Sequence, residues 1–166
     1  MTIENIKELM DGVDIAALLP DLEKLVAALP SIMRFLVLLG PVVLLFLGLH
    51  YFLLAPKEAN YTTGYRFHWG MASPDSWRFM QQVAGAAWTL LGLGLLIAMA
   101  ISSAGFGQLE TMDLLWTVVK NLALQAGLTL VSCLLIDVIV VLRYDYKGRR
   151  RLTWRDVYED EPLGEE

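Results

Sequence analysis

The stretch Phe35–Leu54 reads FLVLLGPVVLLFLGLHYFLL, twenty residues without one Asp, Glu, Lys or Arg. At about 1.5 Å per residue, a helix of that length covers the roughly 30 Å hydrocarbon core of a bilayer. Inside lipid every backbone N–H and C=O must be satisfied within the segment, so the run reads as a transmembrane helix, and Pro41 kinks it without ending it. Two comparable stretches follow. One spans about residues 83–103 and carries no charge; the other spans about 114–142 and contains Lys120, Asn121, Gln125 and Asp137. The expected fold is all-α: an integral membrane bundle of three helices, preceded by an amphipathic helical segment.

The composition agrees. Of 166 residues, 56% are hydrophobic and 19% charged, with a formal net charge of −5. A soluble domain carries about 25% charged residues and no apolar run of this length. A soluble globular enzyme and a disordered chain are thereby excluded. The negative charge argues against nucleic acid as a partner, since phosphate backbones are bound through Lys and Arg. Cys133 is the single cysteine and can make no internal disulfide.

Residues 1–30 hold Glu4, Glu8, Asp11, Asp14, Asp21 and Glu23, with Pro20 among them. Acids come first where a signal peptide would have a basic region. Ile15, Leu18, Leu19, Leu22, Leu25, Val26 and Leu29 recur at three- and four-residue steps. That pattern predicts one amphipathic helix or two short ones, on the bilayer surface or against the bundle.

Three spans place the amino terminus and the second loop on one face, and the first loop (55–82) and the tail (143–166) on the other. Lys7, Lys24 and Arg34 lie on the first face. Lys57, Arg66, Arg78, Arg143, Lys147, Arg149, Arg150, Arg151 and Arg155 lie on the second, nine cations against three. Cytoplasmic loops carry the excess of Lys and Arg. The expectation is a multi-pass protein of a bacterial cytoplasmic (inner) membrane, its amino terminus outside and its loop and tail cytoplasmic.

The first loop begins APKEANYTTGYRFHWGMASPDSWRF, from Ala55 to Phe79. It is long for a connection and rich in rings, which argues for a functional segment over disorder. Gly64 permits a turn with positive φ, after which Tyr65 can lie at the headgroup level. Arg66 offers a planar fork for a phosphate or a carboxylate. Ser73-Pro74-Asp75 predicts a helix start, with Ser73 as N-cap and Pro74 at the first helical position. Trp77 and Arg78 also suit an interfacial anchor.

Asn60, Gly64, Tyr65, Arg66, Met71, Ser73, Trp77 and Gly85 stand in an order and spacing that resembles the SdpI family of small bacterial integral membrane immunity proteins. The family pattern runs Asn, then Gly-Tyr-Arg-Thr-Pro, then Ser-Met-Lys, a Trp, and a Gly at the start of the next membrane helix. This chain departs from it at Phe67, His68, Gly70 and Ala72. The resemblance covers roughly residues 60–100. It implies immunity or signalling toward a secreted, membrane-active peptide, with a cytosolic regulator as a second partner.

Asp137 lies about six residues from one end of the third span and His50 about four from the same end of the first. An ionisable side chain in a span is a functional hypothesis by default. The expectation is a polar cluster of His50, Arg66 and Asp137; a buried ion pair that fixes helix register is the plainer alternative. Lys120 can snorkel to the interface. Asn121 and Gln125, one turn apart, can hydrogen-bond a neighbouring helix, and Gly94, Ala98 and Ser102 form a small-residue seam for helix contact or a homo-oligomer.

His50, His68 and Asp137 lack the ligand spacing of a metal site. No nucleophile–base pair, phosphate loop or haem-attachment motif is present. The reading is a non-catalytic protein without cofactor or metal. Two alternatives are a small transporter or proton-linked permease module using His50 and Asp137, and an accessory scaffold subunit of a larger membrane complex.

Overall fold

The computed structural model describes residues 15–60 and 62–151, with side chains from residue 23 onward. The acidic start of the leader and the acidic end of the tail lie outside the described residues. Three long helices make the fold: α1 (Ile15–Leu53), α2 (Pro74–Ser103) and α3 (Thr111–Arg143). Short 3-10 turns at Trp69–Met71 and Phe106–Gln108 punctuate the two connections. All three helices are long and apolar enough to cross a membrane. Their outward faces carry Phe35, Phe46, Leu90, Ile101, Leu130 and Leu142, each about two-thirds or more exposed. Such a surface suits hydrocarbon, where apolar exposure costs nothing.

The helical pattern expected of the leader runs on into the first span without a break. Helix α1 is continuous from Ile15 through Pro20, Pro30 and Pro41 to Leu53. At Pro41 the cost of a missing N–H is visible and offset. The carbonyl of Val37, four residues earlier, loses its usual helical donor there. Gln125 of α3 supplies one instead: its Nε2 donates to Val37 O at 3.0 Å. Gly40 leaves the room, because a Cβ at that position would sit 2.5 Å from Gln125 Oε1. The neighbouring helix thus satisfies the group that proline frees. Asn121 makes the second expected interhelical bond, with Nδ2 2.9 Å from Ser102 Oγ of α2.

Helix α2 runs along α1 and packs more sparsely on α3. The close seam with α1 uses Gly85 and Gly92, two turns apart on one face. A Cβ at Gly85 would stand 2.5 Å from Phe52 N, and one at Gly92 would stand 2.6 Å from Leu45 N. Gly48 of α1 meets the backbone of Trp88 and Thr89 in the same way. Within the chain, the close α1–α2 seam does not run through Gly94, Ala98 and Ser102: a Cβ at Gly94 would meet nothing within 4 Å, and Gly94 and Ala98 are exposed.

At the end of the bundle where α2 turns into α3, the core is aliphatic. Val37, Leu44, Leu95, Met99, Leu114 and Val118 close around Phe106. Arg34 finishes this end, donating from Nε (3.2 Å) and Nη2 (2.8 Å) to Ser103 O, one of the carbonyls that a helix terminus leaves unpaired.

Candidate functional site

The opposite end is built by the loop between α1 and α2. The chain leaves α1 with Leu54 N donating to His50 O at 2.8 Å. Asn60 then folds its side chain back, and Oδ1 accepts the N–H groups of Thr62 and Thr63, both at 2.9 Å. This is an Asx-type turn, the reason Asn is favoured where a chain reverses. Gly64 follows at φ 107°, a conformation that L side chains rarely adopt. A Cβ there would also come within 2.9 Å of the Trp77 ring and of Gln81 Oε1.

That turn delivers the backbone of Tyr65 to Gln81. Tyr65 N donates to Gln81 Oε1 at 2.8 Å, and Gln81 Nε2 donates to Tyr65 O at 2.7 Å. The two bonds fix both backbone polar groups of Tyr65 to one side chain that is only 1% exposed. Trp77, fully buried, lies beside it and donates from Nε1 to Pro56 O at 2.8 Å. Trp77 is therefore the hub on which the loop closes, and its neighbour Arg78 is the exposed member of the pair.

With its backbone held, Tyr65 points into the bundle, past the headgroup position expected of it. Its hydroxyl donates to Asp137 Oδ1 of α3 at 2.8 Å and lies 3.3 Å from Cys133 O. The ring stands edge-on to Trp88 at 5.4 Å, and Trp88 Nε1 donates to Ser132 Oγ of α3 at 3.1 Å. Burial, reinforced by the Asp137 carboxylate, pushes the Tyr65 phenol well above its usual range, so it remains a donor at any physiological pH.

The expected cluster of His50, Arg66 and Asp137 is corrected by this geometry. The group that reaches Asp137 is Tyr65. His50 stacks on Phe46 (6.4 Å between centroids) and meets Tyr51 edge-on (5.9 Å). The reason lies in the loop's period. From Tyr65 to Trp69, residues alternate: Tyr65, Phe67 and Trp69 are partly buried, while Arg66 and His68 are exposed. Non-helical backbone sends successive side chains to opposite sides. A turn that aims Tyr65 inward sends Arg66 outward.

The inward rings join one cluster with Trp77, Met80, Val140, Met71 and Phe79. Phe67 and Trp69 stack at 5.5 Å. Gly70 is buried beneath Met80, whose sulfur fills the space a Cβ would need. Ser76, also buried, donates from Oγ to Gly70 O at 3.2 Å.

The predicted helix start is observed. Ser73 Oγ accepts from Ser76 N at 3.1 Å, Pro74 opens the helix, and Ser76 Oγ accepts from Ser73 N at 3.1 Å, a reciprocal capping box. The same Ser73 hydroxyl donates to Gly148 O at 2.7 Å. That bond docks the segment after α3 onto the start of α2. The segment is a tight reversal with an antiparallel bridge between Tyr144 and Arg150 and with Gly148 at φ 72°. Asp145 organises it: Oδ1 accepts from the N–H of Lys147 (2.9 Å) and Arg149 (2.8 Å), and Oδ2 accepts from Arg149 Nε (2.9 Å). The Arg149 N–H above all, then its guanidinium and the Lys147 N–H, hold the Asp145 carboxyl below its usual range.

Gln81, Ser76 and Trp88 are the working residues that sequence reasoning did not single out. Gln81 could have been found from its register. It stands four residues after Trp77 on the same helical face, where a polar amide in an apolar stripe needs partners. Among the described residues, no group of three or more His, Cys, Asp or Glu side chains converges as metal ligands would.

The model of the SdpI/YfhL protein family matches residues 57–144. The chain belongs to that family. Comparison with curated proteins and with solved structures finds no match. In this member of the SdpI/YfhL family, the matched segment takes in the loop, α2, α3 and the first residue of the reversal. Among the residues that carried the resemblance, Asn60 makes the turn, Gly64 reverses it and Tyr65 crosses to α3. Met71 and Trp77 pack beneath the loop, and Gly85 lets α1 and α2 touch. Arg66 is the exposed exception.

Proposed function

We propose that this SdpI-like membrane protein is non-catalytic and acts in immunity or signalling toward a membrane-active peptide. The observation that supports the reading is the Gln81–Tyr65–Asp137 tie, which makes the family loop a shaped surface with Arg66 and His68 on its outside. In this reading the peptide is met in or at the outer half of the bilayer. The loop and the docked reversal face the cytoplasm of a bacterial cell, available to a cytosolic regulator. The nine-to-three asymmetry of cations supports that orientation.

The test is survival. A bacterial strain sensitive to secreted, membrane-active peptides is transformed with the wild-type chain and with Gly64→Val, which strains the turn and meets Trp77. Protection by the wild type that Gly64→Val removes, at equal membrane abundance, is the expected result. No gain in survival with any such peptide overturns the reading. Orientation is checked separately with a membrane-impermeant maleimide on Thr62→Cys in a Cys133→Ser background. Protection from labelling in intact cells is expected; labelling there contradicts the assignment.

A further inference from the structure

Where the reversal after α3 docks on the start of α2, it leaves a cleft of about 540 Å³ at the membrane-facing ends of both helices. Four guanidinium groups line it: Arg78 from α2, Arg143 from the last turn of α3, and Arg149 and Arg150 from the reversal. The lining contains one carboxylate, Asp75, together with the amide of Gln82. Asp145 neutralises Arg149 from outside the lining. Arg78 and Arg143 have no carboxylate partner among the described residues, so the cleft carries positive charge where α2 starts and α3 ends.

Each wall is held. The Ser73–Gly148 bond clamps the reversal to the helix start. Arg149 is fixed by the Asp145 carboxylate, and the Arg143 guanidinium lies 4.8 Å from the centroid of Phe79, a cation–π contact. Phe79 in turn packs on Tyr144 at 5.6 Å, so rings form the side of the cleft toward the helices. Arg78 is exposed and makes no hydrogen bond or ion pair among the described residues. Its fork is free for a bidentate anion.

We propose that this cleft is a binding site for the phosphodiester headgroup of an anionic phospholipid. The depth argues for a lipid over a soluble anion. Both helices that frame the cleft are membrane-crossing candidates whose apolar spans begin at Pro74 and end at Arg143, which sets the guanidinium groups at headgroup level. Arginine suits the planar, two-oxygen face of a phosphodiester, and cations at an anionic interface add to one another. Gln82 and Asp75 lie where headgroup hydroxyls would meet an amide and a carboxylate. The site is independent of the peptide reading: it concerns which lipid the loop end holds, whatever the protein protects against.

The full chain, purified in mild detergent, is titrated with dioctanoyl phosphatidylglycerol, with dioctanoyl phosphatidylcholine, and with inorganic phosphate. Bound lipid is counted by native mass spectrometry, and thermal stability is followed in parallel. The expected result is one retained phosphatidylglycerol per chain, a rise in melting temperature that phosphatidylcholine does not give, and no competition by millimolar phosphate. Removing one interfacial cation weakens such binding about five-fold, so Arg78→Gln and Arg143→Gln should each do so, and the double variant more. Arg78→Lys and Arg143→Lys should lose less binding than the corresponding glutamine variants, which separates charge from folding, and the part they do lose reports the two-point fork. Lys120→Gln, on α3 near its other end, should change nothing. Equal binding of the two lipids overturns the proposal, as does undiminished binding by the folded double variant. Displacement of the lipid by phosphate alone also overturns it, since the site would then belong to a soluble anion.

Discussion

The two ends of this bundle are made by different physics. Where α2 turns into α3, the core is six buried apolar side chains around Phe106, and one arginine finishes the helix end. At the other end, rings and amides interlock: Gln81 holds the backbone of Tyr65, Trp77 holds Pro56, and Tyr65 spans to Asp137. The first end needs only apolar bulk, which many sequences supply. The second needs named residues in a fixed order, because the bonds of Tyr65 depend on the turn that Asn60 and Gly64 make just before it. Both ends contribute residues to the family match, but a region this specified, on a loop held by a rigid scaffold, is where function is expected to reside.

Substitutions can break or sharpen that contrast. Trp77→Ala should have the largest effect, destabilising by about 3–5 kcal/mol in detergent unfolding, since it removes a fully buried ring and the partner of Pro56 O. It should also open residues 56–72 to protease while the far end stays intact. The next effect separates two glycines of one helix. Gly85→Ala should cost about 1–3 kcal/mol, because its Cβ meets the Phe52 backbone and neither helix can yield cheaply. Gly94→Ala meets nothing within 4 Å and should stabilise by up to about 1 kcal/mol through helix propensity. Equal effects would mean that the α1–α2 seam is misplaced.

A smaller cost, about 1 kcal/mol, is expected for Gln125→Met, which keeps the bulk but leaves the Val37 carbonyl without its donor beside Pro41. Pairing it with Pro41→Ala should recover most of the loss, because alanine restores the helical N–H. The smallest effect is on pH. The Asp145 carboxyl titrates below its unfolded value of about 3.9. Its contribution to the reversal is therefore fully present above that pH and is lost as pH falls through the lower, folded value. Amide resonances of Lys147 and Arg149 should hold steady from pH 7 to about 4 and shift below it. In Asp145→Asn that transition should vanish.

Much of the fold was legible because apolar runs in a membrane have few other solutions. The three spans, the Ser73 cap and the interhelical bonds of Asn121 and Gln125 all follow from hydropathy and capping chemistry, and the structure has them. Continuity of α1 through Pro41 was expected, but its continuation back through Pro30 and Pro20 was not legible, since proline's effect depends on whether its surroundings repair the lost bond. The site was half legible. Gly64, Tyr65 and Trp77 announced themselves, but charge drew attention to Arg66 and His50 as partners of Asp137. The alternation of rings and bases from Tyr65 to Trp69 already encoded which side chains turn inward, and it outweighs charge because a ring loses more by facing water.

The central claim is that the loop after α1 is a fixed element seated on Gln81, and amide hydrogen exchange at Tyr65 in the reconstituted protein tests it most directly. The account predicts strong protection of that N–H in the wild type and its loss in Gln81→Ala, with the amides of α2 beyond Gly85 unchanged. Exchange of the wild-type Tyr65 amide at the rate of an unstructured peptide would contradict it.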